Sequence, residues 1–154
     1  MAYQKMMKSG AVIESVAKTV VLNENNEVLV LTVGEYKERP DKSHTPDLPG
    51  GQVEIVDGES EMAGAIREAE EEAGIVLPPS NMTLLYTKTR AFADENKSVS
   101  LFLYACILDH TPEVVISWEH ENYEWVPLDS LIETKTFRPF YKEGIEYALA
   151  NKLL

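Results

Sequence analysis

The sequence predicts one α/β domain spanning residues 1–154, with mixed strands around two substantial helices. Three observations carry that prediction. Strand-like apolar runs recur on both sides of a helical segment instead of gathering at one end. Two stretches, about residues 60–73 and 139–152, have helical composition and helix-boundary residues. No repeat, low-complexity tract or linker divides the 154 residues, a length that can bury a substantial core.

Each element follows from local signals. Val12, Ile13, Val16, Val20, Val21 and Leu22 make residues 10–22 a strand with room for a bend. Asn23-Glu24-Asn25-Asn26 signals a turn into a partner strand at 27–33. Gly34 to Asp47 is polar and interrupted by Pro40 and Pro46, so it reads as a loop. A Pro49-Gly50-Gly51 turn follows, then a short strand near Gln52–Ile55. Ser60 is suited to cap the first helix, and Gly74 to stop it. Gly64 costs about 1 kcal/mol against Ala inside a helix, which predicts close packing there. Strands at 82–92 and 97–109 form a hairpin around Asp94-Glu95-Asn96, and another strand ends near Tyr123–Val126. The last helix, Pro139 to Lys152, aligns Ile145, Leu149 and Leu153.

Composition narrows the function. A formal net charge of −12 argues against non-specific nucleic-acid binding, which needs basic surface. It leaves room for a phosphorylated substrate, because a bound divalent cation reverses the local sign. Cys106 is the only cysteine, so neither an internal disulfide nor a cysteine zinc ribbon can form. It lies in the apolar run Val99–Leu108, where a buried, inert thiol is expected. No apolar run approaches the ~20 residues of a membrane span, and the N-terminus lacks a signal-peptide pattern. The expectation is a cytoplasmic protein with no membrane partner.

The chemically informative segment is Arg67-Glu68-Ala69-Glu70-Glu71-Glu72-Ala73-Gly74-Ile75. On a helix, Glu68, Glu71 and Glu72 share one face, and their repulsion costs roughly 0.2–0.5 kcal/mol per pair. They also sit at the negative end of the helix dipole. A hard cation such as Mg²⁺ or Mn²⁺ would reverse both penalties. The alternative is a solvated acidic face in which Arg67 pairs with Glu70 or Glu71.

The stretch from Gly51 to Ile75 resembles the Nudix box. That pattern runs Gly, five residues, Glu, seven residues, then Arg-Glu-U-x-Glu-Glu-x-Gly-U, with U apolar. The half from Glu59 to Ile75 matches without a gap, with a small Ala69 at a U position. Seven residues, Gln52 to Gly58, separate Gly51 from Glu59, two more than the pattern has. Counting forward from Gly51 puts Asp57 at the acidic position; counting back from Arg67 puts Glu59 there. Glu59 is favoured, because helical spacing is rigid and a loop absorbs extra residues. Leu48-Pro49-Gly50-Gly51 before the box also fits, as do Tyr123–Leu128 and Asp129-Ser130-Leu131 after it.

The resemblance implies an α/β/α sandwich with a mixed sheet. It implies hydrolysis of a nucleoside diphosphate linked to another group, with Mg²⁺ or Mn²⁺ as cofactor. Carried onto this sequence, Glu68 and Glu72 are metal ligands, Glu71 a direct or water-mediated ligand, and the Gly50 carbonyl a backbone ligand. Arg67 orients the carboxylates and Glu59 supports Arg67 from behind. The general base is a box glutamate such as Glu68 or Glu71, or an acid of the later Trp118–Tyr123 stretch, Glu119 or Glu121. Family members often dimerise, so a homodimer is one expected state. Within the class, a compact domain suits a (d)NTP or modified-nucleotide pyrophosphatase. ADP-ribose, a nucleotide sugar and a dinucleoside polyphosphate are the alternatives. A nucleotide-binding module without turnover, or a structural domain with a metal-free acidic helix, are the readings from other classes.

Other residues have simpler explanations. His44, His110 and His120 read as loop or strand-end histidines, and none has a second histidine at zinc-ligand spacing. Tyr36, Phe92, Trp118 and Tyr123 offer stacking faces for a base, although aromatics more often pack in cores. Lys88 and Arg90 alternate on a strand, as basic residues on a wet face do.

Overall fold

Strand β2 (Val12–Leu22) is the spine of the molecule. Its period of two sends Ala17 and Val21 into one apolar layer and Val20 and Leu22 into the other. The computed structural model describes residues 4–6 and 12–154. Residues 10 and 11, the expected start of this strand, lie outside them.

On one side, β2 pairs in parallel with β7 (Lys97–Ile107) over its whole length. Antiparallel to β7 runs β6 (Met82–Phe92), with a register shift between Leu84 and Tyr86. On the other side, β2 meets β3 (Glu27–Val33) at a single register pair, Leu22 opposite Val28. Beyond that point β3 turns to β8 (His120–Pro127) and to the two-residue β4 (Pro46–Asp47). The space left beside β2 is taken by β5 (Gly50–Gln52), opposite Val16–Lys18, and by β1 (Gln4–Met6), opposite Val12–Glu14. The result is an eight-stranded mixed sheet split like a wedge between β2 and β3.

Helix α1 (Glu61–Ala73) covers one face. The Ser60 hydroxyl accepts the Ala63 N–H at 3.1 Å, and the helix stops at Gly74 with φ 67°, as expected. Its buried stripe is Ala65, Ala69 and Ala73, packed with Ala17, Val21, Leu29 and Leu31. The small Ala69 thus suits a helix lying close to the sheet. Gly64 is equally constrained: a Cβ there would lie 2.9 Å from Glu59 Oε1 and 3.1 Å from Val53. The opposite face carries the one-turn α2 (Leu131–Thr134) and α3 (Pro139–Ala150). There Ile145 and Ala148 pack with Val20, Val28, Val30 and Leu103. Full burial of a leucine such as Leu29 or Leu103 stabilises the fold by about 1.5–3 kcal/mol. The architecture is the α/β/α sandwich expected.

Several boundaries differ from expectation. The strand placed at Gln52–Ile55 lies earlier, at Gly50–Gln52, because those residues pair with β2. Ile55–Asp57 form a 3-10 turn. The strand ending at 109 stops at Ile107, and α3 ends at Ala150, leaving Leu153 exposed beyond it. Cys106 is buried in the α1-side core, and burial raises its thiol pKa, as an inert cysteine requires. Among the described residues, no helix is long and apolar enough to cross a membrane.

Candidate active site

The three acids of α1 occupy different environments. Glu71 projects outward, its side chain 57% exposed, and accepts Arg67 Nη1 at 3.1 Å. Glu68 is mostly covered and lies against Gly51, where a Cβ would stand 2.9 Å from Glu68 Oε2. Burial raises the Glu68 pKa, with Arg67 opposing and Glu71 adding to the rise. Glu72 is only 3% exposed. Its Oε1 accepts the Gly50 N–H at 3.0 Å, and its Oε2 lies 3.5 Å from His120 Nε2. Burial pushes the Glu72 carboxyl up to about 9, aided by Asp47 and Glu68 against the pull of Lys18.

Arg67 organises the outer part of this cluster. Its Nε and Nη2 grip the two oxygens of Glu59 at 2.7 and 3.0 Å. Nη2 also donates to the Gln52 carbonyl at 3.1 Å, while Nη1 reaches Glu68 and Glu71, each at 3.1 Å. Hydrogen bonding to Glu59 raises the guanidinium pKa against burial. The extra residues before Glu59 close on themselves: the Glu59 N–H returns to the Glu54 carbonyl, and Glu59 Oε1 accepts the Glu54 N–H. Asp57 is exposed on that turn, so Glu59, not Asp57, meets Arg67. Glu59→Gln should lower turnover about 10–100-fold with little change in folding, measured by steady-state kinetics beside thermal unfolding.

Arg67 relieves Glu68 and Glu71 but makes no contact with Glu72. A solvated acidic face therefore accounts for Glu71 and leaves Glu72 unexplained. A buried carboxyl with two glycines and a second carboxyl beside it offers carboxylate and carbonyl oxygens, the donors a hard divalent ion takes, with His120 Nε2 a nitrogen at its edge, 3.5 Å from Glu72 Oε2.

Behind Glu72 lies a knot absent from the sequence reading. Lys18, 4% exposed, donates from Nζ to Asp47 Oδ1 at 2.9 Å, Leu48 O at 3.1 Å and Gly50 O at 2.8 Å. The Gly50 carbonyl, expected to serve a metal, keeps a second lone pair beyond the one facing Lys18. Asp47 also receives Arg138 Nη2 at 3.2 Å, and His120 Nε2 lies 3.4 Å away. Burial opposes the Asp47 charge, but Lys18, His120 and Arg138 outweigh it and depress its pKa. Burial would lower the Lys18 pKa; Asp47, Tyr141 and Glu72 raise it instead. One ligand atom each from Asp47, Glu72 and His120 lies within 4.8 Å of the others, all buried. The signal was a lysine within the apolar run Val16-Ala17-Lys18-Thr19-Val20-Val21: a charge in a strand buried on both faces needs a buried partner.

A cleft of about 500 Å³ opens over this floor in the wedge between β2 and β3. Glu119, Trp118, Tyr36, Lys42, Arg138 and Tyr141 line its walls. Trp118 is 91% exposed. Glu121 turns instead to His44 Nδ1, 2.7 Å away at the surface. His110 pairs with Asp109 on the surface, and Lys88 and Arg90 both bind Glu143 of α3. Of the candidate residues, the structure gathers Gly50, Glu72, Glu119, His120, Tyr36 and Trp118 along the cleft. Glu59, Arg67, Glu68 and Glu71 form the network beside it.

Comparison with known proteins follows the same pattern. Residues 14–148 match the family model described as the NUDIX domain. The chain belongs to the Nudix family. This Nudix chain is 32% identical over 103 residues to the asymmetrical bis(5'-nucleosyl)-tetraphosphatase of Sus scrofa, covering 64% of this chain and 69% of that protein. The MutT protein from Methanosarcina mazei Go1 superposes with a TM-score of 0.73 at 25% identity, covering 91% and 96% of the two chains. A C. elegans Ap4A hydrolase in a binary complex gives 0.63 at 24% identity, covering 91% and 98%, a likeness of fold. The family and the tetraphosphatase relative make the chain a Nudix pyrophosphohydrolase, and Nudix enzymes use divalent metals.

Proposed function

We propose that this Nudix enzyme hydrolyses the pyrophosphate linkage of a (d)NTP or modified nucleotide, releasing a nucleoside monophosphate. Buried Glu72 carries the reading, because burial and the neighbouring Asp47 and Glu68 disfavour its charged form, which a bound cation would favour. Glu68, Glu72 and the Gly50 carbonyl would hold Mg²⁺ or Mn²⁺, with Glu71 contributing directly or through water. When bound, the ion screens charge on the pyrophosphate oxygens and lowers the pKa of a water.

The chain's own residues do the remainder. Arg67, fixed by Glu59, holds Glu68 in place. Glu119 lines the cleft and is the favoured acceptor for the proton of the attacking water, whereas Glu121 is committed to His44. Trp118 offers an open indole face at the cleft for the base. Trp118→Ala should raise KM about tenfold with kcat held, consistent with ~1–3 kcal/mol for base–aromatic stacking. An unchanged KM would remove Trp118 from the binding face.

A second reading, a dinucleoside polyphosphate as substrate, is favoured by the 32% identical tetraphosphatase. Phosphate release from a nucleotide panel with Mg²⁺ or Mn²⁺ separates the two. Coupling to inorganic pyrophosphatase reports pyrophosphate, and coupling to alkaline phosphatase reports monophosphate products. Turnover confined to diadenosine tetraphosphate would replace the first reading with the second; no turnover would overturn both.

A further inference from the structure

The cleft holds more positive charge than its floor uses. The three donors of Lys18 are taken by Asp47, Leu48 and Gly50, and Lys97 pairs with Glu14 at 3.1 Å. Lys42 also lines the cleft, yet among the described residues its ammonium makes no ion pair or hydrogen bond. Arg138 spends Nη2 on Asp47 and stacks 4.8 Å from the Tyr141 ring, while its buried Nε has no partner. Burial lowers the Lys42 pKa, and the nearby charges of Arg39 and Arg138 lower it further, outweighing the opposing charge of Asp41. A half-covered ammonium facing cations is unfavourable until an anion joins it. Asp47 and His120 stand between Arg138 and Glu72, so this basic wall adjoins the catalytic floor without being part of it.

We propose that Lys42 and Arg138 form a subsite for a phosphoryl group beyond the scissile pyrophosphate, so that the enzyme prefers nucleotides with three or more consecutive phosphates over diphosphates capped by a sugar. The proposal rests on the hydrolytic reading above for its substrate, and on the cleft's own charges for its place. Arg138 supplies the guanidinium N–H groups left over from Asp47, and Lys42 a point charge, a pairing suited to phosphate oxygens. The scissile linkage has the α1 acids and their ion; a further dianion needs its own cations.

The test uses inorganic tripolyphosphate as the probe, titrated calorimetrically into the protein with and without Mg²⁺. Lys42→Gln should weaken binding about tenfold, the loss of one charge-assisted contact. Lys42→Arg should restore it. Lys37→Gln, on the same loop but exposed and outside the cleft, should leave it unchanged. In kinetics, Lys42→Gln should raise KM about tenfold for a nucleoside triphosphate and leave KM for ADP-ribose unaltered, with kcat held. Wild-type affinity in Lys42→Gln, an equal loss in Lys37→Gln, or no saturable binding at all would overturn the subsite. The two readings fail separately. A wild type that turns over no nucleotide, yet binds tripolyphosphate through Lys42, keeps the subsite and loses the hydrolytic reading. Normal turnover with Lys42-independent binding does the reverse.

Discussion

Glu72→Gln should lose turnover by about 10³-fold or more while its metal-free form stays folded. The asymmetry follows from the protonation of Glu72. Its carboxyl is pushed up to about 9, so without a cation it is neutral at pH 7, and glutamine imitates that neutral form. The Gly50 N–H keeps an acceptor in either case. A carboxyl whose pKa is higher in the folded state stabilises the fold fully below its unfolded value. That contribution is lost as pH rises through the folded value. Metal-free wild type should therefore lose stability between about pH 5 and 9, and Glu72→Gln should remove most of that slope. Glu68, raised in the same direction, leaves a remainder. Thermal unfolding in EDTA across this range, beside steady-state turnover, reads both effects. Turnover within tenfold of wild type would remove Glu72 from the reacting centre.

Lys18→Met should destabilise the protein by about 3 kcal/mol or more, the expected loss when one partner of a buried ion pair is removed. Asp47 would keep Arg138 and His120, but the Leu48 and Gly50 carbonyls would lose their ammonium donor. Adding Asp47→Asn should recover part of the loss, because the uncompensated buried charge disappears with it. Urea unfolding of the four proteins in the cycle measures the coupling, expected to exceed ~1 kcal/mol. A Lys18→Met loss below ~0.5 kcal/mol would mean that the knot contributes nothing to the fold. Asp47, whose pKa is depressed, stabilises the fold above its unfolded value near 4 and loses this as pH falls further.

Much of the structure was legible because its determinants are local. Ser60 and Gly74 bound α1, and apolar periodicity located β2, β3, β6, β7 and α3 to within a few residues. The link between Glu59 and Arg67 was legible because both lie at or beside one rigid helix. The Lys18–Asp47 contact was not, since it spans 29 residues and depends on where β4 and β5 settle beside β2. His120 read as a loop histidine because its partners come from β4 and α1, two elements remote in sequence. Local rules also assigned Glu119 and Glu121 the same role. Only tertiary placement sends one to the cleft and the other to His44.

The wedge between β2 and β3 has a mechanical consequence. Gly50 has φ 139°, and a Cβ there would stand 2.1 Å from the Ala17 carbonyl oxygen, so the reacting edge is pressed against the spine of the sheet. Gly50–Gln52 are laced into the main-chain ladder of Val16–Lys18, and displacing them means unlacing β2. Lys42 and Trp118 sit on segments outside any ladder. On the proposed reading, the part that would cut is a stiff chassis, and the part that would choose what is cut is a separate grip. Remodelling that grip should then leave the blade where it is.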